Sequence, residues 1–435
     1  MTGAGAATGA ATGAVSGEEH EDENGRTMTE GTFSRRRLLG TATATGVAGL
    51  AAGATSGALG HAAASEGGPA LSTLGSATVP FHGTHQPGIT TPLQSRSHLL
   101  AFDLAEDAGR RGAAALLRRW STLAAELMAG RLDETGTGIA DDAGPASLTL
   151  TFGFGHSFFD ATGLTALRPE ALRPLPAFSQ DALDEGRSHG DLWVQIGADD
   201  PLVAFGALRA VRRAAEGSAR TRWQMNGFHR SPGATARPMT GRNLMGQVDG
   251  TNNPTPDDPD FERHVFVPSD GEPAWMAGGS YAVVRRIRML LDDWEGATEE
   301  ERARVLGRRR SDGAPLTGGD ERTPVDLEAT ETDGSPVIAA NAHVRVTAPE
   351  SNGGATMLRR SFSYHDGERE DGSQDAGLLF VCWQADPLRS FVTVQRKLDR
   401  GDALSAFLRH EASGLFAVPG GAAEGEYVGQ RLVES

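Results

Sequence analysis

Two short runs, WVQIGADDP at residues 193–201 and CWQADP at residues 382–387, share one pattern that decides the predicted fold. Each begins with apolar residues typical of a buried strand. Each ends in Asp-Pro, which is typical of a helix start, because Asp caps free N–H groups and Pro fits the first turn. A strand followed by a capped helix therefore occurs once in each half of the chain. We interpret this as an internal duplication of one α+β unit.

The segments around the two runs complete two units. Strands are predicted at 97–103, 148–152 and 192–196, with helices at 105–129 and 201–213. The second half repeats this with strands at 280–289, 357–364 and 378–383, and helices at 293–306 and 387–397. The predicted fold class is α+β: two ferredoxin-like modules, 79–235 and 236–435, each an antiparallel sheet backed by helices. They meet in a polar, Gly/Pro-bearing stretch at 232–240, and a long polar excursion is predicted at 307–335.

The composition excludes several classes of protein. The chain has 435 residues and a formal net charge of −16, which allows a large core and argues against a nucleic-acid partner. Its one cysteine, Cys382, excludes an internal disulfide bond. Cys382 lies in an apolar run, so we expect a small core residue there. Whether the chain forms homo-oligomers is left open by the sequence.

The first 64 residues have the pattern of an export signal. SRRRLLG at residues 34–40 is followed by a mildly apolar Ala/Gly/Thr run, and Ala62, Ala63 and Ala64 precede a predicted cleavage near Ala64–Ser65. This indicates a twin-arginine (Tat) signal and export to the cell envelope, the periplasm or the medium by the Tat machinery. The apolar run is too rich in Gly and Thr for a good membrane span, so no permanent membrane anchor is expected. Residues 65–78 are predicted to be a linker.

The stretch GQVDGTNNP at residues 246–254 is the first candidate site. It places one acid, Asp249, between Gly246 and Gly250, which let the backbone turn tightly or approach a flat ligand closely. A bare Asp-Gly is usually a surface turn. What distinguishes this one is the residues that follow it along the chain: His343 in Asn-Ala-His, and then RRSFSY at 359–364.

These motifs and their order resemble the dye-decolourising peroxidases, specifically the branch exported by the twin-arginine route. The resemblance extends from about residue 79 to 432 and includes VPFHGTHQPGI at 79–89. It implies non-covalent haem b, one per chain, in the C-terminal module with His343 on the iron. Gly250, Thr251 and Asn252 would lie against the haem edge, and Arg359 would also contact the cofactor. The implied partners are hydrogen peroxide and a small-molecule electron donor such as a dye.

Peroxidase chemistry needs an axial donor, a proton shuttle and a fixed cation. We assign these roles to His343, Asp249 and Arg359. Asp402 is either an acid beside the axial His or a helix-start Asp, and we favour the helix start. Three further arginines could meet haem propionates or form a solvated face, namely Arg285, Arg286 and Arg288. His82 and His85 could bind a metal, but two His without a nearby acid or Cys more often lie in ordinary loops.

The adjacent arginines 359 and 360 are predicted to face opposite ways, because side chains alternate along a strand. Arg359 would share its face with Ser361 and Ser363, which suits a peroxide pocket. Arg360 would share a face with Phe362, with its head reaching a carboxylate or a propionate.

The sequence therefore predicts a secreted haem b peroxidase that oxidises small organic donors in one-electron steps. Two alternatives remain. One is a deferrochelatase-like protein that releases iron from haem in iron acquisition, and the other is a non-enzymatic haem-binding module.

Overall fold

The computed structural model describes residues 75–131, 138–234 and 240–435. The predicted export signal at 34–40 and its cleavage site lie outside the described residues, as does most of the predicted linker at 65–78. The described residues fall within one unit, Ser65–Ser435. Among their helices, none has the length and apolar character needed to cross a membrane.

The first half alternates strands and helices. Its strands are β1 (Arg96–Leu104), β2 (Thr149–Gly155), β3 (Leu192–Ala198) and β4 (Ala219–Phe228), and its helices are α1 (Gly109–Met128), α2 (His156–Thr162) and α3 (Pro201–Ala215). Helix α3 begins as the Asp-Pro pattern predicts. The Asp200 carboxylate accepts the N–H groups of Leu202 at 2.8 Å and Val203 at 3.0 Å, which caps the helix.

The second half has a similar order with shorter helices. Its strands are β5 (Ser280–Met289), β6 (Leu358–Arg359), β7 (Phe362–Glu368), β8 (Gln374–Gln384) and β9 (Leu408–Val418). Its helices are α4 (Phe261–Val265), α5 (Leu291–Gly296), α6 (Glu299–Leu306), α7 (His343–Thr347), α8 (Phe391–Gly401) and α9 (Gln430–Val433).

Three predicted elements differ from the structure. The helix predicted at 293–306 is two helices, because Thr298 caps α6 with a reciprocal bond to Glu301 and ends the continuity. The strand predicted at 357–364 is interrupted between β6 and β7. The Asp386-Pro387 pair forms a turn, in which Asp386 accepts the Leu388 N–H, and the helix itself starts at Phe391. Strands β4 and β9 are absent from the prediction.

The strands form one antiparallel sheet that closes on itself. In the first half the order is β4-β1-β3-β2, and in the second it is β7-β8-β5-β9. The edge strands of the two halves then pair with each other, β4 with β7 at Phe228–Ser363 and β2 with β9 at Phe154–Ala417. All these pairs are antiparallel, and the joined edges leave none of the eight long strands unpaired on one side. The short β6 adds to β8 outside this ring.

The two faces of the sheet bury different clusters. Side chains of α1 and α3 pack with one face in the larger cluster, where the Trp120 indole N–H donates to the Val211 carbonyl at 3.0 Å. The enclosed face holds an aromatic cluster in which Trp193 stacks on Phe416, with ring centroids 5.4 Å apart, and lies 5.8 Å from Trp383. Cys382 is buried as predicted.

Candidate active site

Asp249 follows a tight turn that its flanking glycines make possible. Gly246 has φ of +74° and Gly250 has φ of +114°. Residues other than Gly rarely adopt these backbone angles. The turn is closed by an isolated bridge between Arg242 and Val248. Within it, the Asn243 amide donates to Asp249 Oδ2 at 3.2 Å. One carboxylate oxygen is therefore held by the turn itself.

Arg359 holds the other oxygen of the same carboxylate. Its Nη1 lies 3.1 Å from Asp249 Oδ1. The two side chains are 31% and 27% exposed, so both are accessible to a small molecule while they remain paired. The sequence predicts these two residues as a pair of complementary function, and the structure brings them into contact across 110 positions of chain.

Asp249 and Arg359 lie on the wall of a cavity of about 330 Å³. Its other lining includes apolar side chains, namely Leu93, Phe261, Leu358 and Leu378, and polar ones, namely His229, Thr240, Ser361 and Ser363. Gly250 and Asn253 also line it. Burial lowers the pKa of His229 below its usual value, so its imidazole is neutral at neutral pH. The cavity thus combines one carboxylate, guanidinium groups and apolar walls.

Arg360 reaches the same cavity from a buried position. Its guanidinium donates to the carbonyls of Gly88 at 2.7 Å and Pro92 at 3.0 Å, and to Gln94 Oε1 at 2.9 Å. The predicted carboxylate or propionate partner is therefore replaced by three neutral oxygens of the N-terminal segment. Desolvation lowers the pKa of Arg360 to about 10, which still keeps it charged at neutral pH.

His343 is the first residue of α7 and is oriented by an acid. Its Nδ1 lies 3.2 Å from Asp402 Oδ2, and because a carboxylate accepts, Nδ1 is the donor. The Asp402 side chain is 2% exposed and also accepts the Leu404 N–H at 3.3 Å. Both interpretations of Asp402 therefore hold, since it starts a helical turn and orients His343. His343 is not one of the described residues that line the 330 Å³ cavity.

The predicted place of Thr251 and Asn252 against the haem edge stays a prediction. Neither is among the described residues that line the cavity. The Thr251 hydroxyl instead donates to Glu321 at 3.0 Å, and its carbonyl accepts from Arg322 at 2.8 Å. The predicted excursion at 307–335 therefore packs behind the Asp249 loop and braces it.

Asn253 and Asn243 are functional candidates without an assigned role in the sequence prediction. Asn253 lies in the GQVDGTNNP run, where its amide was one of three possible hydrogen-bonding side chains, but nothing in the sequence identifies its partner. Its Nδ2 donates to the Arg359 carbonyl at 2.7 Å. Its Oδ1 accepts the Arg359 N–H at 3.2 Å.

The three arginines of β5 have structural partners. Arg285 and Arg286 are each 1% exposed, so a solvated face is the wrong interpretation. Arg285 pairs with Asp181, Arg286 with Asp366, Asp375 and Glu411, and Arg288 with Glu411. None of the three is among the described residues that line the cavity.

The two N-terminal histidines, His82 and His85, lie in a loop of the described N-terminal segment. No group of three or more His, Cys, Asp or Glu side chains in the described part of the chain could hold a metal ion. His85 stacks on Phe266 with centroids 3.5 Å apart, and its Nδ1 contacts the Gly278 carbonyl at 2.7 Å. It behaves as a packed loop residue.

The residues of the site fit a haem. A buried acid on Nδ1 of His343 leaves Nε2 as the donor atom, which is the usual arrangement of a metal-binding His. The glycine at 250, with φ of +114°, lets the backbone approach a flat ring closely. The carboxylate and guanidinium of the cavity can move a proton and stabilise an anion, which is the chemistry of peroxide cleavage.

Comparisons with known proteins identify the family of the chain. The model of the N-terminal part of the Dyp-type peroxidases matches residues 86–229, and that of the C-terminal part matches residues 240–423. The dye-decolorizing peroxidase of Thermobifida fusca (strain YX) is 47% identical over 364 residues, which cover 80% of this chain and 84% of that protein. The deferrochelatase of Escherichia coli (strain K12) is 35% identical over 433 residues, or 95% of this chain and 99% of that protein.

A solved structure gives the same result. Ferric DtpA from Streptomyces lividans superposes with a TM-score of 0.81 at 67% identity, covering 84% of this chain and 99% of that one. Family models, sequence relatives and structure therefore agree over both halves of the fold. The chain belongs to the Dyp-type peroxidase family.

Proposed function

We propose that this protein is an exported haem peroxidase in which Asp249 moves the peroxide proton and Arg359 stabilises the charge that develops as the O–O bond breaks. As a Dyp-type peroxidase it is a haem-dependent enzyme that takes hydrogen peroxide and an electron donor. The observation that supports the residue roles is the 3.1 Å contact between Asp249 Oδ1 and Arg359 Nη1 on the cavity wall.

The chain's own groups account for the proton and charge movements. Bound haem supplies the iron that holds the oxidising equivalents of peroxide until donors return two electrons. The Asp249 carboxylate accepts a proton from one peroxide oxygen and returns it to the other, which leaves as water. The Arg359 guanidinium donates to the oxygen on which negative charge develops. Asn243, at 3.2 Å from Asp249 Oδ2, keeps the carboxylate in place between these two transfers.

We assign the axial position to His343 through Nε2. The support is the bond from Nδ1 to the Asp402 carboxylate at 3.2 Å, which fixes the ring tautomer and raises the basicity of the other nitrogen. Haem is held without covalent attachment, since one cysteine cannot supply a Cys-x-x-Cys-His linkage. We place Gly250 and Arg359 on the side of the haem where peroxide reacts.

The two halves are proposed to be ferredoxin-like modules with a boundary near residue 235. The support is the order of the strands in the sheet. With β6 left aside, the first half is β4-β1-β3-β2 and the second, read from its other end, is β9-β5-β8-β7. In both halves the fourth strand is followed by the first, the third and the second. The sequence of elements is also alike, because each half has a strand, helical segments, two more long strands, a helix and a last strand, with α2 inserted between β2 and β3 in the first half. A duplicated unit of this kind would explain why the strand-then-Asp-Pro pattern occurs twice.

A second candidate function is iron release from haem. Its support is the deferrochelatase of Escherichia coli, which is similar over 95% of this chain. The two functions differ in their product. Anaerobic incubation of the haem-loaded protein with a reductant, followed by pigment extraction, would yield iron-free porphyrin from a deferrochelatase and intact haem from a peroxidase.

Replacing Asp249 with Asn tests the proposed proton shuttle. The amide has nearly the same shape but cannot accept the proton, so we expect haem content to stay at the wild-type level. The rate constant for reaction with hydrogen peroxide should fall about 10²- to 10⁴-fold. Stopped-flow absorption of the purified protein measures it.

Asp257→Asn is the matched control, because Asp257 is exposed and undergoes the same chemical change outside the cavity lining. An unchanged rate in Asp249→Asn would transfer the shuttle role to another group.

A further inference from the structure

The side-chain amide of Asn253 makes a two-bond contact with the backbone of Arg359. Oδ1 accepts the Arg359 N–H at 3.2 Å and Nδ2 donates to its carbonyl at 2.7 Å. In an extended strand the N–H and C=O of one residue point to the same side. The Asn253 amide therefore occupies the place that a neighbouring strand would take.

This contact is made at the edge of β6 that faces away from β8. Strand β6 has only two residues, Leu358 and Arg359, and pairs with β8 along one edge. On the other edge of β6, the described hydrogen bonds to Arg359 are those from Asn253. The Arg360 N–H donates to the Val381 carbonyl of β8 at 2.8 Å, so the chain stays bonded to β8 beyond Arg359, and β7 begins at Phe362. Without Asn253, the backbone that carries the Arg359 guanidinium would be held on a single side.

Asn253 belongs to the same turn as Asp249. Its N–H donates to the Gly250 carbonyl at 3.0 Å, so three residues of tightly turned chain separate Asp249 from Asn253. The turn that carries Asp249 and strand β6 are therefore joined twice. The Asp249–Arg359 ion pair joins them through side chains, and the Asn253 amide joins them through the backbone of Arg359. Two links at different points restrict both the distance and the angle between carboxylate and guanidinium.

We propose that Asn253 is a positioning residue that aligns Arg359 with Asp249 for peroxide cleavage. The inference rests on the proposed roles of those two residues. Asn253 acts through Arg359 and needs no contact of its own with peroxide. Misplacement of a catalytic group by about 1 Å typically costs on the order of 10²-fold in rate, so two modest hydrogen bonds that fix the position of Arg359 can have a large effect on catalysis.

Two substitutions of Asn253 separate alignment from folding. Asn253→Ala removes both bonds, and Asn253→Asp keeps the size and the acceptor but cannot donate to the Arg359 carbonyl. We expect kcat/KM for hydrogen peroxide to fall about 10- to 100-fold in Asn253→Ala, with wild-type Soret absorbance per protein. Asn253→Asp folds as a near-isosteric variant and should also lose at least about 10-fold. Asn226→Ala is the control. It also removes an amide that makes two side-chain hydrogen bonds, to His98 and Gln224, but this amide lies on the outside of β4.

A double-mutant cycle with Arg359→Leu distinguishes positioning from a general structural role. If Asn253 acts only through the Arg359 guanidinium, Asn253→Ala should cause no further loss of kcat/KM in the Arg359→Leu background. The effects of substitutions at coupled residues are not additive. The affinity of the ferric protein for cyanide, from a Soret titration, gives a second readout without turnover. It should fall in Asn253→Ala and stay unchanged in Asn226→Ala.

Three results would overturn the proposal. Wild-type kcat/KM and cyanide affinity in both Asn253 variants would show that the two hydrogen bonds from Asn253 to the Arg359 backbone are dispensable for catalysis. An equal loss with and without the Arg359 side chain would make Asn253 merely structural. Full peroxide reactivity of Arg359→Leu itself would refute the proposed function, and this inference with it, whereas an impaired Arg359→Leu beside wild-type Asn253 variants refutes the inference alone.

Discussion

The neighbouring arginines 359 and 360 have different surroundings. Arg359 is 31% exposed and pairs with Asp249, while Arg360 is 5% exposed and bonds neutral oxygens only. Alternation along a strand predicts that the two face apart, and Ser361 and Ser363 do line the cavity with Arg359. Arg360 lines it too, so alternation along the strand does not fully separate the surroundings of the two arginines.

Leucine substitutions of the two arginines should have opposite effects. Arg359→Leu should keep haem and lose most peroxide reactivity, since the developing charge loses its donor, a contact worth roughly 3 kcal/mol. Arg360→Leu should mainly lower the melting temperature or haem retention, because three buried acceptors lose their partner. Steady-state turnover and thermal melts of the two variants check this. The reverse pattern would mean that Arg360 is the catalytic cation.

His343 should be essential for stable haem binding. His343→Ala removes the proposed donor atom, so we expect the Soret band to vanish or to shift to a weakly bound form. Asp402→Asn keeps the size but weakens the bond to Nδ1, and should lower haem affinity about 10- to 100-fold. Titration of the haem-free protein with haem measures both. Full retention of haem with an unchanged spectrum in His343→Ala would exclude it as the ligand.

Sequence reasoning reaches the chemistry of single residues better than their contacts. Asp249 and Arg359 could be chosen because their motifs, in this order along the chain, resemble those of the Dyp-type peroxidases, whereas a bare Asp-Gly is usually a surface turn. The contact that distinguishes Asn253 from its neighbours Thr251 and Asn252 could not be found from sequence. All three amide or hydroxyl side chains look alike in the motif, and the partner of Asn253 is a backbone 106 positions away.

At the scale of elements, the break before α6 depends on one side chain. Thr298 accepts the Glu301 N–H at 3.1 Å, and the Glu301 carboxylate accepts the Thr298 N–H at 2.8 Å. The helical spacing of 293–306 continues across this point, so periodicity alone predicts one helix. The Thr-x-x-Glu pattern at 298–301 is the local indication that a new helix starts there.

Loss of this cap should lower stability without affecting catalysis. Thr298→Ala removes the acceptor for the Glu301 N–H, and N-cap substitutions of this kind cost about 1 kcal/mol. We expect a melting temperature lower by about 2 °C and unchanged peroxide turnover. Thr332→Ala is the control, because Thr332 is exposed and caps no helix. Equal melting of Thr298→Ala and the wild type would show that α6 is held by packing alone.

The missed strands have a physical reason as well. Strand β4, ARTRWQMNGF, carries polar side chains on its outward face, and β9 contains Arg409, His410 and Glu411 at its start. A buried or half-buried strand is recognised by apolar alternation, and here ion pairs such as Arg288–Glu411 at 3.0 Å replace apolar contacts. Such partners are distant in sequence, so no local pattern reveals them.

At the scale of the whole molecule, the closure of the sheet is the feature that sequence could not supply. A duplicated unit predicts two similar sheets but not how they meet. The junctions are small, with β4 and β7 paired at Phe228–Ser363 and β2 and β9 at two positions. They depend on edge strands finding each other across more than 130 positions of chain, which leaves no trace in local periodicity. The joined edges also protect the protein from pairing with other chains.

Export is the last property that the whole chain predicts, and it rests on the arginine pair of SRRRLLG at residues 34–40. Because the Tat route carries folded proteins, it suits a protein that must acquire haem and close its sheet before leaving the cytoplasm. Replacing Arg35 and Arg36 together with Lys should keep the folded, haem-loaded protein in the cytoplasm, since the pair is read by the export machinery and not by the fold. Cell fractionation with a peroxidase assay measures this, and Arg26→Lys, outside the pair, is the control. Normal export of the double variant would mean that another segment of the first 64 residues directs secretion, or that the protein leaves the cell by a route that does not read the arginines.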